Sequence, residues 1–427
     1  MKKVLIITYY WPPTGGSGVQ RWLKFAKYLP EFQWEPIIYT PENPDMSIQD
    51  GELLKDISAN LKVLKKPILE PYALGRIWGG KEVQNTGIVS QKKSLKQQFS
   101  LWVRGNLFIP DPRVWWVKPS VRYLKKYIVQ EEIDLIVTTG PPHSMHLIGL
   151  ELKKAIKVKW VADFRDPWSK LDFFDEYKMG KRAQRKHLQM EKEVLQNADL
   201  CLTVSHYWEQ DFKRLGARKT AFVTNGYDEE DFKNTSHNKT NRFVVGHFGL
   251  LNAFRSSKAL WEALNELCEE NERFKKALLL SFAGVVDQAV IDQIRSYSNL
   301  KVCFNYLGYL SHSEVLKAYE SSAMHLLLLN DTPIANGHLP GKLFEYLNAK
   351  KPILALGLKE SDVCRILKET QMGEVCSFDN KEAIKRRINE VFAAWEKGDG
   401  LCHGKKIENY TRRALTGTLS ALFNQII

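Results

Sequence analysis

The stretch ANGHLPGKLFEYLNAKKPIL, residues 335–354, sets Lys342 and Glu345 one helical turn apart, directly behind Pro340 and Gly341. A helix that begins after Pro-Gly offers unpaired N–H groups at its start. With the lysine ammonium they suit a diphosphate. The carboxylate of Glu345, one turn in, suits two vicinal hydroxyls such as those of a ribose, although a carboxylate near a helix start is favoured even without a ligand. A second stretch, GHFGLLNAFRSSKAL (246–260), joins a strand to a helix. There Gly249 permits close backbone approach, and Arg255 and Lys258 can clamp phosphates, arginine through its planar fork. Cations at a helix start are unfavourable by roughly 0.3–1 kcal/mol in the absence of an anion, which favours an anionic ligand over solvated cations. The third, WPPTGGSGVQRW (11–22), places Gly15, Gly16 and Gly18 after the first strand, as a phosphate-facing loop or a plain tight turn. Arg21 stands where a dinucleotide fingerprint requires its last glycine, and no Gly-Lys-Ser/Thr closes a Walker loop.

Two further strand ends carry groups able to move or hold a proton. ADFRDPWS (162–169) packs Asp163, Arg165 and Asp166 after an apolar run, as either an ion-paired turn or site residues. Asp166 is the first choice as general base or positioning group for an acceptor hydroxyl, and Asp163 the second. In TTGPPHSMHL (138–147), His143 follows two prolines and either contacts a substrate or caps the next helix. His143 and His146 lie three apart with no carboxylate nearby, so no metal is expected.

Residues of these kinds need rigid strand ends to aim them. Short β-branched runs alternate with amphipathic ones: VLIIT, EPIIYT, IDLIVTTG, VKWVADF, ADLCLTVS and TAFVTNG in a first set. After the polar stretch YDEEDFKNTSHNKTN (227–241) the alternation restarts with FVVGHFGLL, ALLLSFAGVV, LKVCFNYLG (300–308), MHLLLL and KPILALG. This is βαβ logic. It implies two doubly wound parallel sheets, with ligands at the carboxyl ends of their strands. The expected domains are 1–235 and 236–409, with a last helix over 410–427 packing back on the first. Ser311 and Glu314 form a capping-box pattern.

The three phosphate-facing turns, together with LPGKLFEYLNAKKPIL and the Asn-Gly turn in TNGYDEEDF (224–232), resemble the retaining GT-B glycosyltransferases of glycosyltransferase family 4. The resemblance implies a GT-B fold, two Rossmann-like α/β domains facing across a cleft. The N-terminal domain would bind the acceptor and the C-terminal one a nucleoside diphosphate sugar, and a sugar would pass to an acceptor hydroxyl with retention. Gly15 and Gly16 would approach the donor, Arg255 and Lys258 would bind its diphosphate, and Glu345 its ribose; Gly249, Gly341 and Lys342 add to the donor side. The family often carries a second glutamate eight residues before the ribose-binding one, and here that position is Gly337. Contacts to the donor sugar then fall to Asn336, His338 or backbone amides. The same departure leaves a non-catalytic sugar-nucleotide or lipid-binding relative as the alternative.

The chain has 427 residues, a formal charge of +13 and six widely spaced cysteines, a composition expected of a cytosolic protein with reduced thiols. The charge excess invites an acidic partner. Residues 92–126 hold nine basic residues against one acid, Asp111, interleaved with Phe99, Trp102, Phe108, Trp115 and Trp116. That mixture suits either an anionic membrane surface carrying a lipid-linked acceptor or aromatics docked on their own domain. No nucleic-acid motif is present. The expected location is cytoplasmic, peripheral on the inner face of the plasma membrane, with a role in envelope polysaccharide or glycolipid synthesis.

Overall fold

A computed structural model describes residues 1–45, 49–70, 95–170, 177–232, 241–399 and 402–427. They form two compact units. The first ends at Asn225 and regains the chain at Arg412, and the second runs from Gly226 to Thr411.

In the first unit seven parallel strands stand in the order β3-β2-β1-β4-β5-β6-β7: β1 Lys2–Ile7, β2 Trp34–Pro41, β3 Lys62–Lys66, β4 Leu135–Gly140, β5 Lys159–Phe164, β6 Leu200–Thr203 and β7 Thr220–Phe222. The central strands are covered on both faces, which is why their sequences are continuously apolar. Val4 and Ile6 point into one core with Trp22, Phe25 and Trp34. Leu5 and Ile7 point into the other with Met145, Ile148 and Trp160. The C-terminal helix Arg412–Asn424 returns here, and its Leu415, Leu419 and Phe423, at helical spacing, join the first of these cores.

The second unit has six parallel strands in the order β10-β9-β8-β11-β12-β13: β8 Phe243–Phe248, β9 Leu278–Ala283, β10 Phe304–Tyr306, β11 Met324–Leu328, β12 Ile353–Leu356 and β13 Gly373–Cys376. The capping box at Ser311 and Glu314 is formed. In both sheets consecutive strands run outward from the first strand and then resume on its other side, so the order reverses between β1 and β4 and between β8 and β11. In open parallel sheets such reversals are where ligands bind, at the strands' carboxyl ends.

Residues 300–308, expected as one strand, split into the helix Ser298–Cys303 and the three-residue β10. Leu300 and Cys303, three apart, lie on one helical face and both enter the core. The polar stretch after residue 226 is not all linker: Tyr227 and Asp228 are buried, while 233–240 lie outside the described residues. Within 92–126, the helices Leu95–Leu107 and Val117–Gln130 hold most of the basic and aromatic positions.

Candidate active site

The second unit brings together residues from two of the three turns singled out in the sequence. After β8 the chain turns at Gly249, whose φ of +120° is the left-handed region that favours glycine. Its backbone presses on Gly284, where a Cβ would stand 2.6 Å from the Gly249 carbonyl oxygen. The turn continues through the short helical segment Ala253–Arg255. Arg255 is fixed by two donations, Nε to Asn330 Oδ1 at 2.8 Å and Nη1 to the Leu250 carbonyl at 3.3 Å. Asn330 follows β11, so this arginine spans the reversal between β8 and β11.

The helix Gly341–Ala349 starts on the same reversal. Its N-cap is Pro340 and no side chain caps it; the Leu343 amide donates to the Pro340 carbonyl at 3.0 Å, which leaves the Gly341 and Lys342 amides without a partner among the described residues. Lys342, half-buried, directs its Nζ to His247 Nε2 at 3.4 Å. A Cβ on Gly249 would stand 3.6 Å from that Nζ. Burial lowers the lysine to about 7, with the like charge of Arg255 adding to the effect and Glu345 opposing it. Glu345, half-buried, receives a 2.6 Å hydrogen bond at Oε2 from the buried Tyr319 hydroxyl. Its Oε1 accepts nothing among the described residues. Burial first, and then the Glu345 charge, push the Tyr319 phenol well up, so it stays a donor.

Other expected donor residues stand apart from this group. Lys258 is exposed and pairs with Glu262 one turn along its own helix at 3.1 Å. The start of that helix is capped by Ser257, which accepts from the Leu260 amide. The cation contributed by the turn is therefore Arg255. His338 is exposed after the short helix Pro333–Gly337, and Gly337 is buried.

In the first unit the glycine turn after β1 holds Gly15 buried and Gly16 exposed, the latter at φ +99° as N-cap of the helix Ser17–Tyr28, again without a side-chain cap. Arg165 ties this turn to the others. Its guanidinium donates to the Gly18 carbonyl at 2.8 Å and to the carbonyls of Gly140 and Pro141, and lies over the Tyr10 ring. The two aspartates that flank it separate sharply. Asp163 has no exposure and accepts from Arg21 Nε at 3.2 Å and Nη2 at 3.0 Å, Trp22 Nε1 at 2.7 Å and Thr139 Oγ1 at 3.0 Å. That full set of donors makes it an anchor for the first helix. Asp166 is half-buried with no partner for its carboxylate among the described residues.

His143 is buried against the Trp168 indole, ring centroids 4.9 Å apart and nearly parallel. Both of its ring nitrogens lack hydrogen-bond partners among the described residues. Burial first, then the neighbouring His146, Arg165 and His187, hold it well below the usual histidine range and hence neutral. The helix-capping role falls instead to Asp111, which accepts from the Ser144 amide and hydroxyl, each at 2.8 Å.

Residues 88–231 match Glycosyltransferase Family 4. A glycosyltransferase of Pseudomonas aeruginosa, described as probable and called WbjE, is 28% identical over 113 residues, covering 26% of this chain and 28% of that protein. The chain thus matches little more than a quarter of the length of that curated relative. Among solved structures, a glycosyltransferase from Rickettsia africae covers 100% of this chain and 98% of its own at a TM-score of 0.62 and 14% identity. The E. coli trehalose-6-phosphate protein bound with UDP-2-fluoro glucose covers both chains fully at 0.61 and 10%. A candidate UDP-N-acetylglucosamine 2-epimerase from Listeria monocytogenes covers 100% and 96% at 0.54 and 12%. The fold is thus that of the GT-B glycosyltransferases, as the resemblance implied, and it is one that an epimerase-like protein also uses.

The residues missed in the sequence are His247, Tyr319 and Asn330, which hold Lys342, Glu345 and Arg255 respectively. A histidine inside the wholly buried run FVVGHF was a signal, since a polar side chain there needs a partner. Tyr319 and Asn330 carried none.

Proposed function

We propose that the chain transfers a sugar from a nucleoside diphosphate sugar to an acceptor hydroxyl, with retention at the anomeric carbon. The observation that carries this reading is the group on the β8–β11 reversal: two cations, an uncapped helix start, and a carboxylate with one oxygen held and the other open. Arg255, Lys342 and the amides after Gly341 would bind the diphosphate and stabilise its charge as it leaves, the step at which preorganised donors matter most. Glu345 Oε1 would accept from the ribose hydroxyls. Retention, and the parts played by Gly15, Gly16 and His338 on the donor, rest on the family resemblance.

On the first unit Asp166 would take up or orient the acceptor hydroxyl's proton. His143 would contact the substrate, because a buried imidazole with both nitrogens empty costs on the order of 1–3 kcal/mol for each unmet group until something fills it. Asp163 would act only through the helix it anchors. The acceptor would be a sugar or lipid-linked sugar, and envelope polysaccharide or glycolipid synthesis the setting.

A peripheral place on an anionic membrane is supported by Phe99, Trp102, Leu107 and Trp115, all exposed, and by the exposed Lys118, Arg122, Lys125 and Lys126 of the following helix. Arg113 and Trp116 of the same stretch are turned inward. Arg113 pairs with the buried Glu70 at 2.7 Å, and Trp116 stacks on Tyr39. Lys92 and Lys93 lie outside the described residues. No helix among the described residues is long and apolar enough to cross a membrane.

The test is a melting-temperature screen with UDP-glucose, UDP-N-acetylglucosamine and GDP-mannose, followed by a transfer or donor-hydrolysis assay on any that bind. Saturation at a hundred times Kd adds about 2.7 kcal/mol of stability. No shift with any nucleotide sugar refutes the donor site. A shift without turnover points to the binding-only relative, and sugar inversion at C2 without transfer to an epimerase.

A further inference from the structure

The imidazole of His247 lies inside β8, wholly buried, with Nδ1 3.2 Å from the Leu326 carbonyl oxygen and Nε2 3.4 Å from Lys342 Nζ. A carbonyl oxygen only accepts, so in the tautomer that satisfies Leu326 the Nδ1 carries the hydrogen and Nε2 presents its lone pair to the lysine, with the Leu250 carbonyl also beside the ring. The lysine is thus held by a neutral acceptor where a carboxylate would be usual. We propose that His247 is a positioning residue that holds the Lys342 amine toward the diphosphate site, and that this pair takes up one proton when a nucleotide sugar binds.

The inference rests on the donor-site reading above and adds a proton to it. The titratable and charged groups packed about the amine among the described residues are His247 from β8, Arg255 from the turn after it, Glu345 on its own helix and Tyr319 behind Glu345. Burial and the Arg255 charge bring the amine to about 7 in the empty site. His247 itself is held well below its usual range, by burial first and then by the Lys342 charge, so the pair carries at most one proton near neutrality. A carboxylate in place of His247 would keep the lysine permanently charged, and would also repel the diphosphate. The neutral imidazole leaves the whole ammonium charge to the ligand.

The sign follows. A bound diphosphate places negative charge beside the amine and raises its pKa above 7. Below pH 7 the empty site already holds the ammonium, and binding moves no proton. Above pH 7 the empty site has lost that proton and must regain it, so affinity falls as pH rises, by at most about tenfold per pH unit, until the pKa of the occupied site is reached.

Calorimetric titration of the full chain with the nucleotide sugar that shifts melting, in buffers of differing ionisation enthalpy, reads this directly. The diester diphosphate of a nucleotide sugar does not itself titrate between about pH 6 and 9. Uptake near zero at about pH 6, rising toward one proton at about pH 8 with Kd roughly tenfold weaker than at pH 6, is the expected result. Lys342→Arg, charged throughout, keeps binding and loses the uptake. His247→Gln retains an acceptor and the linkage, whereas His247→Leu moves the break in log Kd to lower pH. Tight binding with constant Kd and no uptake across this range overturns the proposal, as does an unchanged pH profile in His247→Leu. Absence of binding at every pH overturns the donor site itself.

Discussion

Asp163 and Asp166 stand three residues apart in one turn, and the structure sets them in opposite surroundings, so that one experiment separates the roles proposed for them. Asp163→Ala removes the carboxylate from beneath Arg21, which is 1% exposed. The guanidinium keeps its Nη1 donations to the Val223 and Thr224 carbonyls and to Asn225. It loses both bonds from Nε and Nη2, and Trp22 Nε1 and Thr139 Oγ1 lose their acceptor as well. Breaking a buried ion pair on one side costs about 3–5 kcal/mol, chiefly because the surviving charge is left without a counter-charge. For a unit of this size each kcal/mol lowers Tm by roughly 2–4 °C. The first unit should therefore melt about 6–20 °C earlier, by calorimetry or by near-ultraviolet circular dichroism of its buried tryptophans. Asp163→Asn should lose almost as much, since it keeps the shape and removes the charge. Asp166→Asn, at a half-buried carboxylate with no partner among the described residues, should melt within about 1 °C of the parent and lose transfer while still binding the donor. An Asp163→Asn protein that melts normally and is inactive would refute the anchoring argument. A fully active Asp166→Asn would remove Asp166 from the chemistry.

Tyr319→Phe deletes the 2.6 Å bond to Glu345 Oε2. At about 1.5–3 kcal/mol for one hydrogen bond to a charged group it should raise KM for the donor roughly ten- to a hundredfold with little change in kcat; a fall in kcat alone would contradict a ribose-holding Glu345. Gly284→Ala places a Cβ 2.6 Å from the Gly249 carbonyl at a φ of +104°. Donor affinity should drop together with the stability of the second unit, and unchanged melting and binding would show that the Gly249 turn is not fixed by this contact. Replacing the exposed Phe99, Trp102 and Trp115 together by Ala should weaken co-sedimentation with phosphatidylglycerol vesicles while leaving melting unchanged; equal sedimentation would reject this face as the membrane contact.

What the sequence disclosed follows from the range of the interactions involved. Strands buried on both faces, such as β4 and β8, announce themselves as unbroken apolar runs. The edge strand β3, KVLKK, is half-exposed and lysine-rich and gives no such run. That Arg255, Lys342 and Glu345 stand at strand-to-helix turns was legible because such a turn is local. Lys258 was over-read for the same reason: its charge is visible, but its pairing along the helix and the Ser257 cap depend on geometry. The partners that fix the site lie 95, 75 and 26 positions away, for Lys342, Arg255 and Glu345 in turn. The spacing DFRD cannot say which aspartate is buried, because Arg21, 142 positions distant, decides it.

The charge balance on the β8–β11 reversal links these long-range contacts to the proposed chemistry. Arg255 and Lys342 are set against one carboxylate, the histidine beside Lys342 is neutral, and Gly337, where the family often has its first glutamate, adds no second acid. Such a group is unfavourable when empty, since burial and like charge both work against Lys342, and the negative charge of a diphosphate offsets them. Substitutions that add an acid beside Lys342 should therefore stabilise the empty unit and weaken donor binding, whereas those that remove Glu345 should do the reverse for the diphosphate and still lose the ribose. A Glu345→Gln variant that binds inorganic pyrophosphate more tightly than the parent but nucleotide sugar more weakly would show both halves of that balance in one protein. Parallel losses for the two ligands would place Glu345 outside it.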